Sequence, residues 1–104
     1  MNDWNLMDAK QQKEAWDLYR FENGKYLIGY TFVLKDYTPI EKGNDHDHCE
    51  LCLVKFFLGI SNCLIKGYLT FYKYKNEKER AVWVCKECFN DFSKKLKWTV
   101  GKVT

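Results

Sequence analysis

Histidine is almost missing from this chain: His46 and His48 are the only two in 104 residues. A nucleophilic cysteine or serine needs a base and a third group to orient it. With both histidines confined to one short stretch, that machinery has nowhere to assemble, and the expectation is a protein that is not an enzyme. Glycine is sparse as well, and no glycine-rich phosphate-binding loop occurs. The single proline, Pro39, and the lack of repeats or low-complexity stretches leave no linker, so residues 1–104 read as one domain. Long apolar runs are absent too. The longest, from Leu51 to Ile60, is interrupted by Lys55 and falls far short of the ~20 residues a membrane-spanning helix needs. The N-terminal Met-Asn-Asp-Trp-Asn-Leu-Met-Asp offers neither a basic nor an apolar segment of the kind that directs export. A cytoplasmic protein without membrane contact is therefore expected, in a compartment where thiols stay reduced.

What is present is cysteine in pairs. Cys49 and Cys52 form one Cys-x-x-Cys, Cys85 and Cys88 a second. Two intervening residues let a tight knuckle turn both thiolates toward one point, and two knuckles supply the four sulfurs that tetrahedral zinc prefers. One structural Zn2+ held by Cys49, Cys52, Cys85 and Cys88 is the resulting expectation. His46 and His48, just before the first knuckle, lie where either could hydrogen-bond a thiolate and tune its charge. Cys63 stands alone and reads as a small buried residue. Glu50, Glu87 and Asp91 are spread over both knuckles and a helix, and read as solvated charges.

Hydrophobic patterning supplies the elements around the knuckles. Residues 8–22 predict a helix capped by Asp8 with Gln11 three positions on, its apolar stripe made of Ala15, Trp16, Leu18 and Tyr19. Trp16 is expected in the core and Arg20 in solvent, and Asn23-Gly24 is expected to end the helix in a left-handed conformation. Alternation from Lys25 to Tyr37 predicts a strand. Leu53 to Leu58 predicts another, followed by a turn over 59–62. Leu64 to Tyr74 and Arg80 to Val84 predict an antiparallel pair around the charged loop 75–79. From Lys86 to Trp98 the period becomes helical, with Lys94, Lys95 and Lys97 at the end that favours cations. The tail from Thr99 predicts a short edge strand.

Knuckle, hairpin, second Cys pair and a helix starting at that pair resemble a treble-clef zinc finger over residues 46–98. The implied fold class is α+β: a treble-clef-like four-cysteine site, an antiparallel sheet, an N-terminal helix and a C-terminal helix. Residues 1–45 would add a helix and strand to that module. A zinc ribbon, which continues as a strand after the second pair, is the rival topology. HNH nucleases also end in a zinc knuckle and a helix, but their catalytic Asp-His lies between the knuckles, where this chain has no histidine.

The fuller string His46-Asp47-His48-Cys49-Glu50-x-Cys52, then Gly67-Tyr68, then Trp83-Val84-Cys85-x-x-Cys88-Phe89-x-Asp91-Phe92 with Trp98 resembles a group of small bacterial proteins. Some proteins of this kind stand beside toxin genes and are similar to immunity proteins of toxin–immunity systems. The resemblance implies a protein partner, most concretely a toxin domain. Tyr30, Tyr37, Tyr72 and Tyr74 would then form the contact surface with the acidic N-terminal half, which nets −2 over residues 1–45. Residues 46–104 net +5. The alternative is accordingly a nucleic-acid-associated, regulatory zinc module using Lys94, Lys95, Lys97 and Lys102 with stacking aromatics.

Overall fold

The computed structural model describes residues 8–40, 43, 45–57 and 64–101. Cys63, Lys102 and the expected turn at 59–62 lie outside the described residues.

Helix α1 (Ala9–Gly24) opens on a complete capping box. The Gln11 N–H donates to the Asp8 carboxylate at 2.8 Å, and the Asp8 N–H donates to Gln11 Oε1 at 3.1 Å. Two of the first-turn donors that a helix leaves unpaired are thereby satisfied. The helix packs on a different face from the one its apolar stripe suggests. Trp16, Leu18 and Tyr19 are exposed, whereas Arg20 is 4% exposed and Gly24 is buried. Gly24 sits there for space rather than for a left-handed turn, since its φ is −109°. A Cβ at this position would come within 2.8 Å of Leu51 Cδ1.

A 3-10 turn (Lys25–Leu27) and the left-handed Gly29, φ +80°, follow the helix. The expected strand from Lys25 therefore begins only at Thr31, as β1 (Thr31–Asp36). Residues 25–30 alternate in hydropathy because Leu27 turns into the core while Ile28 faces out. The remaining strands are β2 (Asp47–His48), β3 (Lys55–Phe56), β4 (Lys66–Tyr72), β5 (Arg80–Val84) and β6 (Thr99–Val100). The main sheet runs β5-β4-β1-β6, with β4 antiparallel to both β5 and β1 and β6 parallel to β1. Strand β1 is thus central, and the N-terminal third of the chain is built into the sheet. Strands β2 and β3 form a small antiparallel ribbon carrying the first knuckle.

The second helix, α2 (Lys86–Phe92), is shorter than the period suggests. Beyond it the chain makes further turns and stops at Lys97, φ +57°. The Trp98 N–H reaches the Ser93 carbonyl at 2.7 Å and the Lys97 N–H the Lys94 carbonyl at 3.3 Å. These paired bonds close a Schellman-type end, which frees Thr99 to join β1.

The core has two aromatic clusters, one on each face of the sheet. On the helix side Phe32, Phe89 and Trp98 meet at 4.8–5.5 Å, and Tyr68 stacks on Phe89 at 3.7 Å. Behind the knuckle ribbon Tyr37, Phe56 and Trp83 meet at 4.9–5.7 Å. Each such pair adds about 0.5–1.5 kcal/mol beyond its buried area. Gly67 lies directly beneath Phe56: an added Cβ would stand 2.6 Å from the ring and 3.0 Å from the Val84 carbonyl oxygen. Because one neighbour is backbone, Gly67→Ala is expected to cost about 2–3 kcal/mol, the upper part of the overpacking range, read as a lower urea midpoint at unchanged m.

Candidate metal centre

The first knuckle is folded by backbone bonds before any metal is considered. The Cys49 N–H donates to the Val54 carbonyl at 2.8 Å, and the Leu53 N–H donates to the Cys49 carbonyl at 2.9 Å. To close the turn Leu53 takes φ +68°, a region that costs a side-chain-bearing residue about 1–2 kcal/mol. Leu53 is 53% exposed and gains little from burial. Leu53→Gly is therefore expected to stabilise the protein by up to about 1 kcal/mol, seen as a higher Tm.

The knuckle is fastened to the sheet edge by the Glu50 N–H, which donates to the Trp83 carbonyl at 2.8 Å. One residue on, β5 ends at Val84, and Cys85 becomes the N-cap of α2, its sulfur accepting the Cys88 N–H at 3.4 Å. Cys88 lies in the first turn of α2. The chain is thus helical through the second pair and on to Phe92.

Sheet edge and helix start bring all four sulfurs together. The Sγ atoms of Cys49, Cys52, Cys85 and Cys88 lie within 4.8 Å of one another, and those of Cys52 and Cys85 are 3.7 Å apart. Four sulfurs about 2.3 Å from a tetrahedral zinc would be separated by about 3.8 Å. All four are free thiols, and Cys49, Cys85 and Cys88 are buried. Such a set can hold a metal ion. Donors converge on it from several sides: the Cys85 N–H on Cys49 Sγ at 3.3 Å, the Val54 N–H on Cys52, and Arg20 Nη1 on Cys88 Sγ at 3.5 Å. Four sulfurs this close cannot all ionise unaided. Hydrogen bonds from Cys52, Cys85 and Cys88 hold Cys49 far below the ordinary thiol range, and the Cys49 thiolate pushes Cys85 and Cys88 up. A divalent cation relieves that conflict.

The chain matches no protein-family model, no curated protein and no solved structure. Its own chemistry therefore carries the functional argument.

Arg20 is the residue that the apolar pattern of α1 conceals. Its guanidinium spans Cys88, Asp91 at 2.9 Å and Asp17 at 2.8 Å, and lies over the Phe92 ring at 4.8 Å. Burial would lower its pKa, but the bonds to Asp17, Cys88 and Asp91 more than reverse this, so it stays charged beside the thiolates. One sequence signal was available: Asp17, Arg20 and Gly24 share a face at spacings of three and four, and the glycine on it demands close approach.

The other expected residues are placed differently. His46 and His48 stay out of the sulfur cluster. His46 Nδ1 lies 2.6 Å from the Asp45 carboxylate, and the two imidazoles meet edge to face. Glu50 and Asp91 are not merely solvated: Glu50 accepts from Tyr26 and from Arg80 at 3.2 Å, and Asp91 receives Arg20. Glu87, in the first turn of α2, is exposed. Among the four tyrosines, Tyr37 cannot serve as a contact residue. It is fully buried between Phe56 and Trp83, and its hydroxyl donates to Asp47 at 2.8 Å. Tyr30 and Tyr72 are half-buried and 6.1 Å apart, Tyr26 meets Tyr72 edge-on at 4.7 Å, and Tyr74 is exposed. Lys94, Lys95 and Lys97 are exposed in the turns that follow α2, not in its last turn as the period suggests. Among the described residues no helix is long and apolar enough to cross a membrane.

Proposed function

We propose that this chain is a non-catalytic protein-binding module organised by one structural zinc ion, with a treble-clef-like centre. The observation that carries the reading is the closed set of four converging sulfurs. A catalytic zinc keeps one position for water or substrate, whereas four thiolates leave none. An all-sulfur tetrahedral site also favours zinc over harder ions.

A cytoplasmic immunity protein that covers a toxin's active site is the most concrete form of the proposal. Its support is a surface rather than a kinship. Trp16 and Tyr19 stack at 5.6 Å on the outer side of α1, with Leu18 beside them, all three exposed. Glu14 and Glu22 on the same helix are exposed too. Lys13 and Lys25 on the same stretch pair with Asp17 and Glu22, so the patch is close to neutral, and its exposed aromatic anchors are what suit a protein contact. The test is metal analysis of the purified protein followed by native capture of its partner after nuclease treatment. About one zinc per chain and a stoichiometric protein retained at high salt support the reading. Trp16→Ala and Tyr19→Ala should then each weaken capture by about 2 kcal/mol while leaving Tm within a few degrees. No retained protein, with nucleic acid bound at low salt and lost near ~200 mM, would instead assign the exposed lysines that follow α2, Lys94, Lys95 and Lys97, to phosphates.

A further inference from the structure

Three of the four sulfurs are sheltered, but Cys52 is only partly buried. It opens, together with Cys85, onto a cleft of about 360 Å³ walled by Val54, Leu64 and Ile65. Lys66 and Lys86 also line this cleft, against one carboxylate, Glu87. Cys49 and Cys88, 0% and 1% exposed, do not reach it. Cys88 has a buried guanidinium on its sulfur, while Cys49 and Cys52 each accept one backbone N–H, from Cys85 and Val54. Cys52 therefore combines the greatest access of the four with a positively flanked approach. Reactivity of a thiolate toward oxidants follows this combination of exposure and cationic surroundings.

We infer that Cys52 is an oxidative modification site, attacked first by a peroxide entering through this cleft, and that Cys85 resolves it. The assignment rests on the four-thiolate zinc reading above. In the first step the Cys52 sulfur forms an S–O bond as the peroxide O–O bond breaks. The sulfur loses two electrons, and the peroxide is reduced to the sulfenic oxygen and a hydroxide, which leaves as water after taking a proton from solvent. The Cys85 thiolate, 3.7 Å away and open to the same cleft, then forms the S–S bond and displaces the sulfenic oxygen as hydroxide. The result is a crosslink between the knuckles, not within either one. Only Cys49 and Cys88 remain as ligands, too few to retain the metal. The centre thereby becomes a peroxide-triggered release point, reversible by thiol reductant.

The experiment treats the zinc-loaded, full-length protein with hydrogen peroxide at about one equivalent, alkylates the remaining thiols at intervals, and maps all five cysteines by mass spectrometry. A chromogenic chelator follows zinc release in parallel. A first disulfide joining Cys52 to Cys85, formed in step with zinc release, is the expected result. A first disulfide within either Cys-x-x-Cys pair, or one that includes Cys63, overturns the assignment. Serine variants of the ligands are open to misfolding, so the second measurement uses Ile65→Trp, which narrows the cleft and removes no sulfur. It should slow zinc release at least about threefold, and an unchanged rate overturns entry through the cleft. Protein purified without zinc that still forms Cys52–Cys85 first would sink the zinc reading and with it the release step, leaving only the order of oxidation standing. Zinc present with another pair forming first does the reverse.

Discussion

Stripping the metal with a strong chelator is expected to collapse the sheet and both aromatic clusters, not merely the knuckles. Structural zinc in small modules is worth about 10–16 kcal/mol apparent, against a total of about 5–15 for an ordinary domain. The coupling is direct. Glu50 hangs from Trp83 at the sheet edge, and Leu51, one residue short of Cys52, is the residue on which Gly24 of α1 seats. Near-UV circular dichroism, dominated here by Phe32, Phe89, Trp83 and Trp98, should fall toward the unfolded signal on chelation and return on adding Zn2+. Cys88→Ala should reproduce the chelated spectrum and be insensitive to further chelator. A metal-free Cys88 would by contrast be one small core residue, whose truncation costs only about 1–2 kcal/mol. Retention of the native spectrum and Tm after chelation would show that the four thiols are simply packed core.

Arg20→Ala is expected to be the most damaging substitution outside the four cysteines. It removes one partner from three acceptors at once, Cys88, Asp17 and Asp91, and its contact with the Phe92 ring. Breaking a buried pair costs about 3–5 kcal/mol, but both aspartates are more than a third exposed, so solvent recovers part of that. About 2–4 kcal/mol remains as the expected loss in urea unfolding. The variant should also surrender zinc more readily to a competing chelator, because a doubly negative tetrathiolate centre has lost its nearest buried cation. Arg20→Lys keeps the charge but cannot bridge three acceptors with one planar fork, and should fall between. Equal zinc retention in all three proteins would reduce Arg20 to a packing residue.

The same residue explains what could be read without coordinates. The Cys-x-x-Cys spacing identified the four cysteines that converge, because geometry leaves two thiols at that separation few alternatives. The alternation Tyr68, Thr70, Tyr72 against Leu69 and Phe71 located β4, and the β-branched and aromatic run from Arg80 to Val84 located β5, although both strands bury residues on both faces of the sheet. The orientation of α1 was not legible. Hydrophobic periodicity asks which face is apolar, and Trp16, Leu18 and Tyr19 answer it. The surface α1 meets carries thiolates and a carboxylate, so the face that docks is led by an arginine and a glycine. Tyr37 misled for a related reason: tyrosine is equally at home in a contact surface and in a core that offers its hydroxyl an acceptor, and Asp47 supplies one. The overlong first strand came from a 3-10 turn whose residues happen to alternate, with Gly29 as the only local warning.

The placement of β1 between β4 and β6 has a consequence during synthesis. The first knuckle leaves the ribosome with two thiolates and no sheet edge to hang from, since Trp83 has yet to be made. Strand β1 has no neighbour until residues 66–72 follow, and Leu27 waits for Trp98, whose indole N–H meets its carbonyl 71 positions along the chain. The contacts that close the fold are therefore late, and a nascent chain paused before Cys85 would hold half a metal site without α2, β6 or the Phe89 and Trp98 rings. Completion of the site should therefore be timed by the arrival of the second cysteine pair.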